Sequence, residues 1–393
     1  MSGAPPSAHA EVVVDLGAIR HNINRLREIV SEGESGPQVM VVVKADGYGH
    51  GMHRVARAAR AAGADWLGVA TAEEALELRR SGDDGPVLCW LIVPGLDHAP
   101  LLDAGVDVTF SSHAQLEDVL RAARETGVVA RVQLKVDTGL SRGGAPREEW
   151  LDLMAAARAA EEQGLLRVTG LWSHLASSDE PDHPANALQE KEFAAACALA
   201  ADTGLELEVR HLANSAGAIL HPATRYDMVR LGIAVYGLSP APRVVSSGEL
   251  GLVPAMTLRA RVALAKDIAA GAGVSYGHTF VAQAPMRVAL VPLGYGDGVP
   301  RHASNRAEVM LAGRRSRVLG RICMDQFVVD APSAAAGDEV VLFGPGTDGE
   351  PTAQDWAEWC ETISYEIVAR MQGRQTRVWV DRTPPYATVD ADR

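Results

Sequence analysis

Val39-Met40-Val41-Val42-Val43-Lys44-Ala45-Asp46-Gly47-Tyr48-Gly49-His50-Gly51 organises the first half of the chain. An unbroken apolar run ends in one lysine and passes at once into a segment carrying Gly47, Gly49 and Gly51. A run without polar alternation suits a strand buried on both faces, as in a parallel sheet. Comparable runs recur at 66–70, 87–93, 106–110, 131–136, 168–174, 208–213 and 228–233. The segments between them, such as 114–126 and 148–162, have helical length and composition. Upstream, Asp15 is placed to cap a first helix in which Ile19, Ile23, Leu26 and Val30 repeat at helical spacing. Eight strand–helix units over about 230 residues fit a (β/α)8 TIM-type barrel better than an open doubly wound sheet, the alternative α/β arrangement.

The rhythm changes near 240–251. From Met256 onward Met256, Leu258, Ala260, Val262 and Leu264 alternate with Thr257, Arg259, Arg261 and Ala263. Short strands follow at 286–291, 308–311, 317–319, 327–329, 339–343 and 374–380, with Gly or Pro between them. Strands without intervening helices predict a mostly antiparallel, β-rich C-terminal domain. The expected division is 1–250 for the barrel and 251–393 for the β-rich domain, with the tail after Pro384 fraying.

The chain has 393 residues, a formal charge of −13, 47% hydrophobic and 22% charged residues. That balance is globular, and the acidic excess gives no electrostatic footprint for nucleic acid. Cys89, Cys197, Cys323 and Cys360 are far apart with no CxxC pair, so free thiols in a reducing compartment are expected rather than a disulfide frame or a metal cluster. Residues 1–10 lack a charged segment followed by an apolar one, and no apolar run approaches the roughly 20 residues of a membrane span. A cytoplasmic chain without membrane or nucleic-acid partners is the expectation.

Several polar residues end the predicted strands, where barrel enzymes assemble their sites. Lys44 either snorkels into solvent or, partly desolvated, has a lowered pKa that suits a Schiff-base nucleophile or general base. The glycines after it permit close backbone approach to a ligand and favour the second reading. In Lys135-Val136-Asp137-Thr138-Gly139-Leu140-Ser141-Arg142-Gly143-Gly144, Arg142 is a surface arginine or a bidentate clamp for a carboxylate. His174 ends the 168–174 run as a core or a site histidine. Asn214-Ser215-Ala216-Gly217 opens a helix, which suits a phosphate or ordinary capping. Arg230 sits among apolar residues and needs a partner. Tyr276, in Val274-Ser275-Tyr276-Gly277-His278-Thr279-Phe280, reads from composition as a packing residue.

Taken in order, these segments resemble the alanine racemases, barrel-type (fold type III) pyridoxal-phosphate enzymes. The resemblance implies that Lys44 carries pyridoxal 5'-phosphate and that Tyr48, Ser215, Gly232, Ile233 and Tyr365 hold its phosphate. It implies that Arg142 binds the substrate carboxylate and the phenolic oxygen of the cofactor. Lys135 matches a lysine that is often carbamylated, an anion that would orient Arg142. His174 would pack near the cofactor ring and hydrogen-bond an arginine. Arg230 would face the pyridine nitrogen and keep it unprotonated, restraining delocalised carbanion chemistry such as transamination. Tyr276 would be the second catalytic base, entering from the partner subunit. Three further segments agree: Pro292-Leu293-Gly294-Tyr295-Gly296-Asp297-Gly298, Gly320-Arg321-Ile322-Cys323-Met324-Asp325-Gln326 and Thr362-Ile363-Ser364-Tyr365-Glu366. They imply Tyr295 on the substrate's access route and Met324 with Asp325 on the substrate side, with Cys323 a buried neighbour. The GYGDG run is followed by no Walker lysine. Leu140 stands where methionine is common, and His278 where arginine is common.

The activity implied is two-base interconversion of L- and D-alanine, supplying D-alanine for peptidoglycan, by a homodimer with shared sites and no metal. A racemase of broader specificity, for instance toward serine, is the nearest alternative. A fold-type-III decarboxylase would call for an acidic residue at the position of Arg230. A non-catalytic cofactor carrier would be a lone barrel without Tyr276.

Overall fold

The computed structural model of the chain describes residues 9–31 and 36–382. The expected fraying after Pro384 lies outside the described residues, as does most of the 1–10 segment.

The chain begins not in the barrel but in the other sheet. Strand β1 (Ala10–Asp15) is followed by helix α1 (Leu16–Val30), whose N-cap is Asp15, its side chain accepting from Gly17 N and Ala18 N. Eight parallel strands then form the barrel: β2 (Gln38–Val42), β3 (Trp66–Val69), β4 (Val87–Cys89), β5 (Asp107–Phe110), β6 (Ala130–Lys135), β7 (Leu166–Trp172), β8 (Val209–His211) and β9 (Met228–Leu231). Their order is β8-β7-β6-β5-β4-β3-β2-β9. The seam between β8 and β9 is bridged by the Arg230 N–H donating to Ala213 O at 3.0 Å and the Asp227 N–H donating to Arg210 O at 3.1 Å. All eight correspond to the apolar runs of the sequence; most end one or more residues earlier, and β2, β6 and β7 begin one or two residues earlier. β2 stops at Val42, because Lys44 already opens a turn. Met40, Trp66, Leu88, Trp172, Val209 and Met228 pack together as a second core beside the main one.

The second domain is a nine-stranded sheet whose order runs from Leu264–Ile268 at one edge to β10 (Met256–Arg261), β1 and Thr376–Val380 at the other. β1 pairs antiparallel with β10, Val12 opposite Leu258, and parallel with the last strand, Val12 opposite Arg377. β10 alternates buried and half-buried residues, the period of a sheet with one face on a core. The strand Leu264–Ile268 and a small ladder of Gly273–Val274 with Phe280–Val281 were not anticipated, since neither carries an apolar run.

Asn22 ties α1 to the connection between the domains. Its buried amide donates to Val235 O at 3.0 Å and Val253 O at 2.9 Å, and accepts from Val253 N at 2.8 Å. Replacing Asn22 by Leu keeps the volume but strands those backbone groups away from water. The loss expected is about 3 kcal/mol, from the cost of unsatisfied buried groups. Urea denaturation of Asn22→Leu against the parent chain measures it, and a change under about 0.5 kcal/mol would contradict the assignment.

Candidate active site

Lys44 leads out of β2 into a turn of the rare left-handed kind. Ala45, Asp46, Gly47 and Tyr48 have φ of 53°, 54°, 61° and 52° in succession. Non-glycine residues held there cost roughly 1–3 kcal/mol each and persist only when their surroundings over-determine them. Here Asp46 accepts from Met52 N at 2.8 Å and pairs with Arg377 of the last strand at 2.6 Å. Glu74 accepts from Ala45 N at 2.7 Å, and the buried His50 ring bonds the carbonyls of Gly47 and Tyr48 at 3.1 and 2.9 Å. Burial pushes His50 down to about 4, so at neutral pH the ring is uncharged and donates from Nδ1. Gly49 has φ of 81° and lies so close to the helix Ser364–Ala369 that a Cβ would fall 2.4 Å from Val368 O.

The turn delivers two side chains. Lys44 Nζ stands 5.7 Å from the ring centre of Trp90, and its pKa is lowered by burial and then by Arg142. Tyr48 points inward, its ring 4.8 Å from Tyr236 and 6.2 Å from Tyr365. Burial raises the pKa of both Tyr48 and Tyr365, which keeps the phenols as hydrogen-bond donors. Gly232 leaves room for them, since a Cβ there would sit 2.5 Å from Tyr48 Oη. Its N–H donates to Ser215 Oγ at 2.8 Å. The Ser215 hydroxyl hydrogen can therefore point elsewhere. Ile233, buried, follows Gly232 into a short 3-10 turn. Phenols and a hydroxyl around a glycine too tight for any side chain make a cradle for a small polyoxyanion.

Beside the cradle, positive charge is concentrated. Lys135 Nζ lies 4.5 Å from the ring centre of Trp172, and its pKa is pushed down to about 8 by burial, then by Arg230 and Arg142. His174 is held well below the usual imidazole range by burial and by Arg230, Arg142, Lys135 and Lys44. Arg230 is buried and donates to Ser173 O at 2.7 Å, His211 O at 3.0 Å and Leu212 O at 3.0 Å, with His211 Nδ1 at 3.0 Å and His174 Nδ1 at 3.3 Å. Burial alone pushes it down to about 9, which leaves it protonated at pH 7. No carboxylate among the described residues bonds it. Arg142 rides on a loop closed by Ala145 N donating to Lys135 O at 2.8 Å. The Asp137 carboxylate shapes that loop by accepting from Gly139, Leu140 and Ser141. Arg142 itself is exposed. So many cations in a chain of net charge −13 suit an anionic ligand.

The other predicted residues form a separate group on the second domain. Ser275, Gly277 and His278 all have positive φ, and Tyr276 at the tip of that turn is 72% exposed. The His278 ring packs over Gly273, where a Cβ would meet it at 2.3 Å. The turns bearing Tyr295 and Met324 are laced together, with Tyr295 N donating to Cys323 O at 3.0 Å and Gly296 N to Met324 O at 2.8 Å. Arg374 clamps both turns, bonding the buried Asp297 at 2.9 and 3.1 Å and Asp325 at 2.7 Å. Met324, Tyr295 and Asp325 are exposed. Cys323 is half-buried rather than buried, because its turn faces outward. Among the described residues, no hydrogen bond, ion pair or ring contact joins Tyr276, Tyr295, Met324 or Asp325 to Lys44 or the cradle. Sequence reading passed over Trp90, Trp172, His211, Arg374 and Arg377 as site residues. Trp172 ends β7 and Trp90 directly follows β4, a signal that was there to be used.

The chain matches the alanine racemase N-terminal domain over residues 14–240 and the alanine racemase C-terminal domain over 255–379. The chain belongs to the alanine racemase family. It is 51% identical to the alanine racemase of Thermobifida fusca over 375 residues, covering 95% of this chain and 98% of that one. It superposes on the alanine racemase structure from Streptomyces lavendulae with a TM-score of 0.94 at 48% identity, covering 96% and 98% of the two chains. The alanine racemase structure from Bartonella henselae, which has covalently bound pyridoxal phosphate, matches with a TM-score of 0.84 at 28% identity, covering 95% and 100%.

As in any member of the family that uses this cofactor, occupancy of the cradle is measurable. Gly232→Ala forces the Tyr48 phenol aside and should weaken binding of pyridoxal 5'-phosphate to the apoprotein at least about tenfold, the effect of losing one hydrogen bond to a charged group. Fluorescence titration reads this directly, and unchanged affinity would remove Gly232 and Tyr48 from the cradle.

Proposed function

We propose that this member of the alanine racemase family interconverts L- and D-alanine with pyridoxal 5'-phosphate held on Lys44, and that Lys44 and Tyr276 move the Cα proton on opposite faces. The observation that carries the reading is Lys44 itself. A strand-end lysine with a lowered pKa stands among Arg142, Lys135 and Arg230 and beside a cradle for a phosphate. When bound, the cofactor draws electrons from Cα of the attached amino acid and weakens its Cα–H bond.

Racemisation needs a proton removed from one face and returned on the other, so two bases must flank Cα. Free lysine and tyrosine are too basic for this at neutral pH, with ordinary values of about 10. Burial and the Arg142 charge make the Lys44 amine available as a base. Tyr276 serves the opposite face in the site of a second copy of the chain. Its exposure on a strained turn supports that placement. Arg142 and the Met324 amide hold the substrate carboxylate, and Tyr295 and Asp325 line its approach. Tyr48, Tyr365, Ser215, Gly232 and Ile233 hold the phosphate.

With the cofactor bound, Arg230 would face the pyridine nitrogen, with His174 beside it. A cation there opposes protonation of the nitrogen, which favours return of the proton to Cα over transamination. An arginine at this position, where a decarboxylase calls for an acidic residue, also speaks against a decarboxylase. The depressed pKa of Lys135 exposes a neutral amine that can add carbon dioxide and release one proton, giving a carbamate between Arg142 and Arg230. In this reading the barrel carries the cofactor and the β-rich domain completes the partner's site. Among the described residues, no helix is long and apolar enough to cross a membrane. The free thiols support a reducing cytoplasm, where D-alanine would be made for peptidoglycan.

Lys44→Ala and Tyr276→Phe chains should each be inactive alone. Mixed in equal amounts with subunit exchange demonstrated, they should regain roughly a quarter of the parent activity, since half the dimers are hybrids with one intact site. No recovery would refute the shared site.

In D₂O, Tyr276→Phe should lose racemisation about 10²- to 10⁴-fold in both directions, the contribution of a positioned base. Lys44 should still exchange the Cα proton of D-alanine, while exchange from L-alanine collapses. Equal exchange of the two enantiomers would remove Tyr276 from the second face.

A further inference from the structure

The Arg230 guanidinium is the near end of a buried hydrogen-bond chain that crosses the barrel. Its Nη1 donates to His211 Nδ1 at 3.0 Å, His211 Nε2 meets Gln133 Oε1 at 2.8 Å, and Gln133 Nε2 meets Asp107 Oδ2 at 3.3 Å. All four side chains are at most 4% exposed. Lys44 follows the C-terminal end of β2, whereas Asp107 opens β5, so the chain reaches the opposite mouth. There Arg131 donates to Asp107 Oδ1 at 2.8 Å and the Thr169 hydroxyl to Oδ2 at 2.6 Å.

The proton positions along this chain follow from its two ends. A guanidinium only donates and a carboxylate only accepts. Gln133 must therefore turn its NH₂ toward Asp107, which leaves its carbonyl facing His211. His211 must carry its hydrogen on Nε2, and its bare Nδ1 can then accept from Arg230. A flipped Gln133 would set its carbonyl against the carboxylate and its NH₂ against His211 Nε2, forcing the hydrogen onto Nδ1 and against the guanidinium. Stacking of the ring on Trp172, at 5.6 Å between centres and 4° between planes, opposes tilting it away. Gly170 keeps the place of Gln133 clear, since a Cβ there would lie 2.9 Å from its amide.

We propose that Asp107 is a positioning residue for Arg230: through Gln133 it fixes His211 in the Nε2–H form, and that form holds the guanidinium at its place inside the barrel. The consequence for the reaction rests on the reading that Arg230 faces the cofactor; the relay itself does not.

Asp107→Asn keeps the shape but can donate as well as accept, so it releases Gln133 to flip. Nitrogen-15 histidine spectra of the holoenzyme, with the His211 signal assigned by its loss in His211→Asn, should show one Nε2–H form in the parent and a mixture in Asp107→Asn. The visible absorption of the holoenzyme should shift, and kcat should fall about tenfold with KM little changed, as for one misplaced buried hydrogen bond. Should Asp107→Asn fail to fold, Gln133→Met leaves the Asp107–Arg131 pair intact and should give the same mixture. Thr169→Val, which removes a donor to the same carboxylate oxygen but lies off the chain, should keep the single form. A single Nε2–H form in both Asp107→Asn and Gln133→Met would overturn the proposal. A mixture without any change in absorption or kcat would uphold the relay and overturn the placement of Arg230 against the cofactor.

Discussion

Arg230 is a full positive charge buried inside a barrel with no carboxylate bonded to it among the described residues. Taking such an ion out of water costs several kcal/mol unless its hydrogens are all received. For the two Nη groups the structure meets that demand with three backbone carbonyls and two imidazoles, from the strand ends of β7 and β8. Those ends cannot move without stranding the guanidinium, so Ser173, His174, His211 and Leu212 are held as a rigid frame. An acidic partner would satisfy Arg230 more cheaply, but it would cancel the charge that gives the mouth of the barrel its character.

The same positive field reaches the neighbouring groups. It adds to burial in lowering Lys44, Lys135 and His174. For the lysines this makes the uncharged, nucleophilic amine easier to reach; for His174 it yields a neutral ring. The field also makes the site incomplete without anions, and a phosphate and a carboxylate are the anions that the proposed cofactor and substrate bring.

Backbone strain is the second resource. Left-handed residues cluster at Ala45–Tyr48 and again around Tyr276. Each cluster lifts a side chain out of a regular element, and each is secured from elsewhere in the chain: the first by Arg377 and by Val368 against Gly49, the second by Arg321, whose backbone carbonyl accepts from Ser275 Oγ at 2.6 Å. The last strand thus stabilises the lysine turn of the barrel, and the two domains share one piece of machinery.

The eight barrel strands were legible because strands buried on both faces must be apolar throughout, and nothing in a soluble loop imitates that over eight repeats. The candidate lysine, arginines and tyrosines could be picked out too, since they stand at strand ends or among glycines that only a close approach explains. The strand Ala10–Asp15 was not anticipated: its partners lie at 256–260 and 376–380, and pairing over such separations is written in no local pattern. Arg374, Arg377 and Asp107 look like any surface charge in the sequence; what makes them matter is the turn or carboxamide that folding sets against them. Sequence determined which residues are too apolar, too small or too charged to be idle. Tertiary structure alone decided which charges meet and which hydrogens point where, because those depend on distances between strands and not on spacing along the chain.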